Sequence, residues 1–456
     1  METDIVKVAL ISTYELGRQP FGLASPAAWL SRRGHDVLCV DTSRERLPLE
    51  AVAGAGLVAF YLPMHTATRL ALPLIQKIRS ANPNARLCCY GLYAPMNEPF
   101  LRAQGVTAIL GGEFEQDLVN LADGIEPERP ISLDRLFFIQ PDRSQLPPLA
   151  SYASLQVGDR QRRVGSTEAS RGCKYLCRHC PVVPVYNGTF RIVQREVALA
   201  DIRQQVAIGA EHITFGDPDF FNGPGHAIAI VNAMHAEFPE LTYDVTIKIE
   251  HLLKHRDLLP DLKATGCLFV TSAVESLDDG VLALLDKGHT RADFVEAVRL
   301  MREAGLTLSP TFVTFSPWTT LRAYRELLDT LVDLDMVENV APIQLAIRLL
   351  IPEGSRLLEL PEVREKIGQF DSCALSYQWR HEDPAMDELC SRIQRLVQSE
   401  ERRKLSRRDI FAGIWELAQD RSLPPGFEQA ARAAVPHLSE PWYCCAEPTP
   451  EQLGSI

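Results

Sequence analysis

The chain has 456 residues, 46% of them hydrophobic, 23% charged and 7% aromatic, which excludes wholesale disorder, collagen-like repeats and a coiled coil. At roughly 150 residues per domain, about three domains are expected. Lysine and arginine number 47 against 59 aspartate and glutamate, a net charge of −12. No basic run is long enough to follow a phosphate backbone, so nucleic acid is not expected as a partner.

The N-terminus, METDIVKVALIST, enters a strand directly, and no apolar run reaches the ~18 residues of a membrane span. A cytoplasmic location without signal peptide or membrane partner is expected. Residues 1–125 then alternate β-branched runs with helical patterns, the rhythm of a doubly wound parallel sheet. Strands are predicted at 6–12, 36–40, 57–61, 86–90 and 108–110, with helices at 26–33, 67–81 and 98–103. The unit closes on Gly111, Gly112, Glu113, Phe114 and Glu115, just past a strand, where open α/β sheets take ligands. Residues 126–164 are rich in proline and arginine and read as a linker.

The β/α alternation returns over 165–359. Strands are predicted at 165–170, 212–216, 242–249, 267–274, 306–315 and 343–350, and helices from near 196, 225, 251, 277, 291 and 321. Six βα units make a partial barrel, whose active groups belong at the carboxyl ends of the strands. Residues 360–437 read as charged and helical, and 438–456 as a proline-rich tail.

Eleven cysteines in a reducing compartment do not form a disulfide framework. Cys39, Cys88, Cys89, Cys267, Cys373 and Cys390 lie in apolar stretches and read as small buried hydrophobes. Cys173, Cys177 and Cys180 are spaced Cys-x3-Cys-x2-Cys just after a strand, a loop from which three soft thiolates can converge on an iron–sulfur or zinc centre. Only His179 is near enough to add a fourth ligand, so one iron of a 4Fe–4S cluster is left for an exogenous ligand. The alternative is a zinc-stabilised loop in a thiol sensor without catalysis.

That loop resembles the signature of the radical S-adenosylmethionine (SAM) enzymes, and the resemblance runs from about 165 to 355. It implies that Cys173, Cys177 and Cys180 bind a 4Fe–4S cluster whose open iron chelates the methionine moiety of SAM, and that an electron donor reduces it. Phe215-Gly216-Asp217-Pro218-Asp219-Phe220 looks like the family segment at the methionine amino group. Ala273-Val274-Glu275-Ser276 with Lys287-Gly288-His289-Thr290, and Pro352-Glu353-Gly354-Ser355, look like two more family segments. Asp217, Asp219 and Glu275 thus become SAM-positioning candidates, although acids at strand ends also cap helices. Lys248 and Glu250 share a strand face and serve either ribose hydroxyls or each other. Arg348, in an apolar strand, needs an anion, either SAM's carboxylate or a protein carboxylate.

An α/β domain ahead of such a barrel resembles the cobalamin-binding domain of cobalamin-dependent radical SAM enzymes. Their Asp-x-His-x-x-Gly ligand motif is absent, since His35 and His65 lack its companions, so cobalamin is admitted but not favoured. Finally, Trp442-Tyr443-Cys444-Cys445-Ala446-Glu447-Pro448 carries a vicinal dithiol suited to a thiophilic acceptor. This ending resembles that of the CUAEP/CCAEP-tail radical SAM proteins, among them enzymes of arsinothricin biosynthesis. It implies a transferase that moves the 3-amino-3-carboxypropyl group of SAM to arsenite presented by Cys444 and Cys445. The alternative within the superfamily is a cobalamin-dependent methyltransferase.

Overall fold

The computed structural model describes residues 5–425, 427 and 435–440. The first sheet is parallel throughout, with strands β1 (Lys7–Ser12), β2 (Asp36–Asp41), β3 (Leu57–Tyr61), β4 (Arg86–Tyr90), β5 (Ala108–Gly112) and β6 (Ile131–Ser132) in the order 2-1-3-4-5-6. Both faces are covered by helices. Along β1, Val8 and Leu10 enter one core while Ala9 and Ile11 enter the other, the two-residue period of a strand buried on both sides.

The first helix begins at Phe21 rather than at Pro26, as expected from sequence, and runs to Arg33. Pro26 has no N–H to give the carbonyl of Gly22. That carbonyl is instead taken by the Tyr90 hydroxyl at 2.7 Å. Gly22 itself has no room for a side chain, because a Cβ there would lie 2.2 Å from the Tyr61 ring. Tyr61, Tyr90 and Phe114 form one aromatic group, with ring centroids 4.9–6.0 Å apart. They fill the carboxyl edge of this sheet.

The second sheet is the partial barrel. Strands β7 (Ser154–Val157) and β8 (Arg160–Thr167) form a hairpin, then β9 (Ser170–Gly172) and β10 (Phe190–Ile192) form a small ribbon around the cysteine loop. Parallel strands β11 (His212–Phe215), β12 (Thr242–Thr246), β13 (Cys267–Glu275) and β14 (Thr307–Phe312) follow β8 in sequence order. The sixth strand expected at 343–350 is not formed. Its place is taken by a 3-10 turn at Pro342–Leu345 and a single bridge between Phe315 and Arg348, because its apolar residues pack beneath the C-terminal helices instead of continuing the sheet.

Strands β15 (Ile367–Asp371) and β16 (Ser376–Trp379) make a separate hairpin. Helices Pro384–Arg402 and Arg407–Ala418 pack Ile393, Phe411, Ile414 and Trp415 into the barrel's outer core. Strand β17 (His437–Leu438) pairs antiparallel with β7 on the barrel's open side. Cys39, Cys88, Cys89, Cys267 and Cys390 are buried as expected, whereas Cys373 is exposed in the β15–β16 turn. Among the described residues no helix is long and apolar enough to cross a membrane.

Candidate functional site

The three cysteines of the loop line one cavity of about 230 Å3, together with Lys248, Glu275 and Lys287. Its far wall comes from the carboxyl edge of the first sheet, including Tyr61, Met64 and Phe114. The volume lies below the ~300–1,000 Å3 typical of ligand sites. Among the described residues no three His, Cys, Asp or Glu side chains close around a single metal ion. Three thiols that share a cavity without converging on one point fit a polynuclear iron–sulfur group, in which each sulfur takes a different iron, better than a tetrahedral zinc. The residues therefore fit the cluster.

Local structure explains how the loop is held. Gly172, just before Cys173, has φ +78°, and a Cβ there would lie 2.4 Å from the Tyr186 ring, so only glycine is accommodated. Asn222 donates from its amide to the Gly172 carbonyl (3.1 Å) and accepts from the Lys174 N–H (3.2 Å). Asp217 accepts from the Ala169 N–H at 2.9 Å and from the Ser170 hydroxyl. Burial pushes the Asp217 carboxyl up to about 7 despite these bonds. Asp219 caps the turn at Phe220–Asn222 by accepting from the Phe221 N–H (3.1 Å) and lies 2.7 Å from His251 Nδ1. Asp217 and Asp219 thus spend their oxygens on the cysteine loop and its support, and they do not line the cavity.

Glu275 does line it. A register shift between Ala273 and Glu275 at the end of β13, with φ +69° at Glu275, turns the side chain inward as bulges do. One carboxylate oxygen lies 3.0 Å from His179 Nε2 and 3.5 Å from Lys287 Nζ. Burial alone would raise this carboxyl, but the charges and hydrogen bonds of Lys287 and His179 hold it at about 2. An ionised carboxylate stands in the wall beside the cysteines.

Lys248 also lies at the cavity, 2.6 Å from the Glu250 carboxylate. Arg348 does not line it. Its guanidinium is 2.7 Å from Asp387, donates to the Trp379 carbonyl, and stacks 3.4 Å above the Trp379 ring. The anion it needs is Asp387, which removes it from the SAM-carboxylate role. Cys444 and Cys445 lie outside the described residues.

Arg171 had no motif to announce it, yet it ties the two sheets together. It contacts Glu168 (2.6 Å), Glu115 (2.7 and 2.9 Å) and Glu113 (3.5 Å), with its guanidinium over the rings of Phe114 and Phe138. Of the Gly111–Glu115 segment, expected to meet a ligand, Glu113 and Glu115 pair with this arginine while Gly112 and Phe114 line the cavity. Burial still pushes Glu113 up to about 7. No histidine of the first domain is among the cavity's lining residues. His65 Nε2 is bonded to the Ala374 carbonyl at 2.7 Å, and His35 pairs with Asp123.

Comparison with known proteins agrees with this geometry. Residues 167–331 match the Radical SAM superfamily, whose members use a 4Fe–4S cluster and SAM. A tRNA-2-methylthio-N(6)-dimethylallyladenosine synthase of Desulfosudis oleivorans is 29% identical over 200 residues, 42% of this chain and 41% of that protein. The hopanoid C-3 methylase of Methylococcus capsulatus is 24% identical over 153 residues, 34% of this chain and 29% of that protein. The chain thus spans less than half the length of these relatives. Among solved structures, the cobalamin-dependent S-adenosylmethionine radical enzyme OxsB, with aqua-cobalamin and SAM bound, has a TM-score of 0.66 and 14% identity over 87% of this chain and 67% of that one. The radical SAM methyltransferase TsrM from Kitasatospora setae, with cobalamin and a 4Fe–4S cluster bound, has a TM-score of 0.58 and 17% identity over 73% of this chain and 71% of that one. The chain carries a radical SAM domain at residues 167–331, within the two-sheet fold of the cobalamin-dependent radical SAM enzymes.

Proposed function

We propose that this protein is a radical SAM transferase that moves the 3-amino-3-carboxypropyl group of SAM to trivalent arsenic held by Cys444 and Cys445. One observation carries the proposal. The last described residues are fastened beside the cavity: β17 pairs with β7, and Glu440 accepts a hydrogen bond from the Tyr14 hydroxyl. Leu16, Arg18, Thr271 and Thr311 line both the large cavity and the recess that holds His437, Leu438 and Glu440. Cys444 follows Glu440 by four residues, at most about 14 Å of extended chain. The dithiol is within reach of the cavity wall, and paired thiolates are a soft donor set for arsenite.

When bound, the cluster supplies the electron that splits a sulfonium carbon–sulfur bond of SAM. The chain's own residues supply the rest. Glu275, kept ionised by Lys287 and His179, is the carboxylate we assign to the ammonium of SAM, and the aromatic edge of the first sheet excludes water from the reacting carbon. One-electron breakage of the Cγ–S bond leaves methylthioadenosine and a carbon radical; the carbon–arsenic bond forms as a second electron from the same reductant releases one arsenic ligand, a cysteine thiolate or hydroxide, so arsenic stays trivalent.

The comparisons taken alone favour a second reading, cobalamin-dependent methyl transfer, because OxsB and TsrM share this fold and bind cobalamin. Anaerobic incubation of cluster-loaded protein with SAM, a reductant and arsenite separates the readings. Methylthioadenosine with a new carbon–arsenic product is expected; 5′-deoxyadenosine alone, or strict dependence on added cobalamin, overturns the assignment. A Cys444→Ala/Cys445→Ala protein should retain its cluster and lose at least tenfold in turnover. Full activity in that protein removes the tail from the reaction.

A further inference from the structure

Lys248 is the last extended residue between β12 and the short helix Ile249–Lys254, and it is 7% exposed. Its ammonium lies 2.6 Å from the Glu250 carboxylate, 3.5 Å from Cys177 Sγ, and 3.4 Å from the centroid of the Tyr175 ring. Two of these three neighbours belong to the cysteine loop, since Tyr175 lies between Cys173 and Cys177. The sequence suggested a choice between ribose hydroxyls and Glu250. The pairing with Glu250 is present, and the thiol and the aromatic face are additional.

An ammonium has three donors and no acceptor, and burying it is costly unless its charge is met. Glu250 meets the charge. The Tyr175 face then restricts where the cation sits, and a remaining N–H is directed at sulfur. Positive charge and hydrogen bonds at a ligand sulfur stabilise the more electron-rich form of an iron–sulfur centre and so raise its reduction potential.

We propose that Lys248 is a positioning residue that tunes the cluster: through Cys177 it stabilises the electron the cluster accepts, and it does not contact the reacting carbon. No bond is made or broken in this step. One electron passes from the donor that the radical SAM reaction already requires to the cluster, and Lys248 makes that transfer less uphill. The inference rests on the assignment of Cys173, Cys177 and Cys180 to a 4Fe–4S cluster.

The test uses full-length protein reconstituted anaerobically with iron and sulfide, without SAM. Iron and sulfide content report cluster loading, and an electron paramagnetic resonance titration reports the midpoint potential. Lys248→Met should load its cluster but have a lower midpoint, with a reduced-to-oxidised ratio at the wild-type midpoint at least ~threefold below that of wild type, equivalent to about 28 mV for one electron at 59 mV per tenfold. Lys248→Arg should stay close to wild type. Glu250→Gln should shift the other way, because the ammonium charge is no longer shared with a carboxylate. A loaded Lys248→Met protein whose reduced-to-oxidised ratio stays within ~threefold of wild type overturns the proposal. If Lys248→Met does not load, Glu250→Gln decides: a raised midpoint sustains the proposal, and an unmoved or lowered one overturns it. Wild-type protein that takes up zinc and no iron overturns the cluster assignment, and this inference with it.

Discussion

Asn222 is fully buried, and its side-chain amide is committed to the backbone on both sides of Cys173. Removing it strands a buried carbonyl and a buried N–H, each costing about 1–3 kcal/mol. Asn222→Ala should therefore cut iron retention after reconstitution several-fold while the far-ultraviolet circular dichroism stays unchanged; undiminished iron content would show that the loop holds itself. The three thiols were legible from spacing alone, because a metal-binding loop is local in sequence. Asn222 was not, since it lies two residues beyond the Phe215–Phe220 segment that drew attention, and its role is created only when β11 is laid beside β8. Asp217 and Asp219 were seen as acids at a strand end. Which partner such an acid takes depends on backbone geometry that spacing does not encode.

At the scale of elements, Arg171 joins β9 to the segment after β5 through Glu113 and Glu115, and Glu168 beside β9 completes a group of three carboxylates with little access to water. Breaking a buried ionic cluster by removing one partner costs about 3–5 kcal/mol, because the charges left behind are uncompensated. Arg171→Met should lower the thermal midpoint substantially. The deficit should be larger at pH 8 than at pH 5.5, since the abandoned carboxyls can take up protons at the lower pH. A deficit independent of pH would mean that lost packing dominates. The strands around this junction were readable from β-branched runs and their two-residue period. The sixth barrel strand was misread because 343–350 is mostly apolar, and such a run does not distinguish a strand from a segment packed under helices.

Across the whole molecule, His65 connects the first domain to the β15–β16 hairpin through the Ala374 carbonyl. Burial is the main reason its imidazole is pushed down to about 4, from an ordinary value of about 6.5. A histidine held neutral in the fold takes a proton more readily when unfolded, so stability is lost as pH falls from about 6.5 towards 4. The total is about 3 kcal/mol, at ~1.4 kcal/mol per pH unit. His65→Gln, which keeps a donor and abolishes the titration, should flatten the stability profile in that window; an unchanged acid slope would exclude His65 as its source. The two-sheet architecture was visible in the alternation of strands and helices. The connections between sheets were not, because Arg171 and His65 each find partners more than 50 residues away.

The seam between Tyr14 and Glu440 joins residues 426 positions apart, with β17 beside it covering the outer edge of β7. During synthesis the first sheet and most of the barrel emerge long before residue 437 does. Until then β7 presents an unpaired row of N–H and C=O groups, a template for pairing with a neighbouring nascent chain. This hem closes only once residue 437 has been made, and a ribosome that stalls short of it leaves a chain with a sticky border.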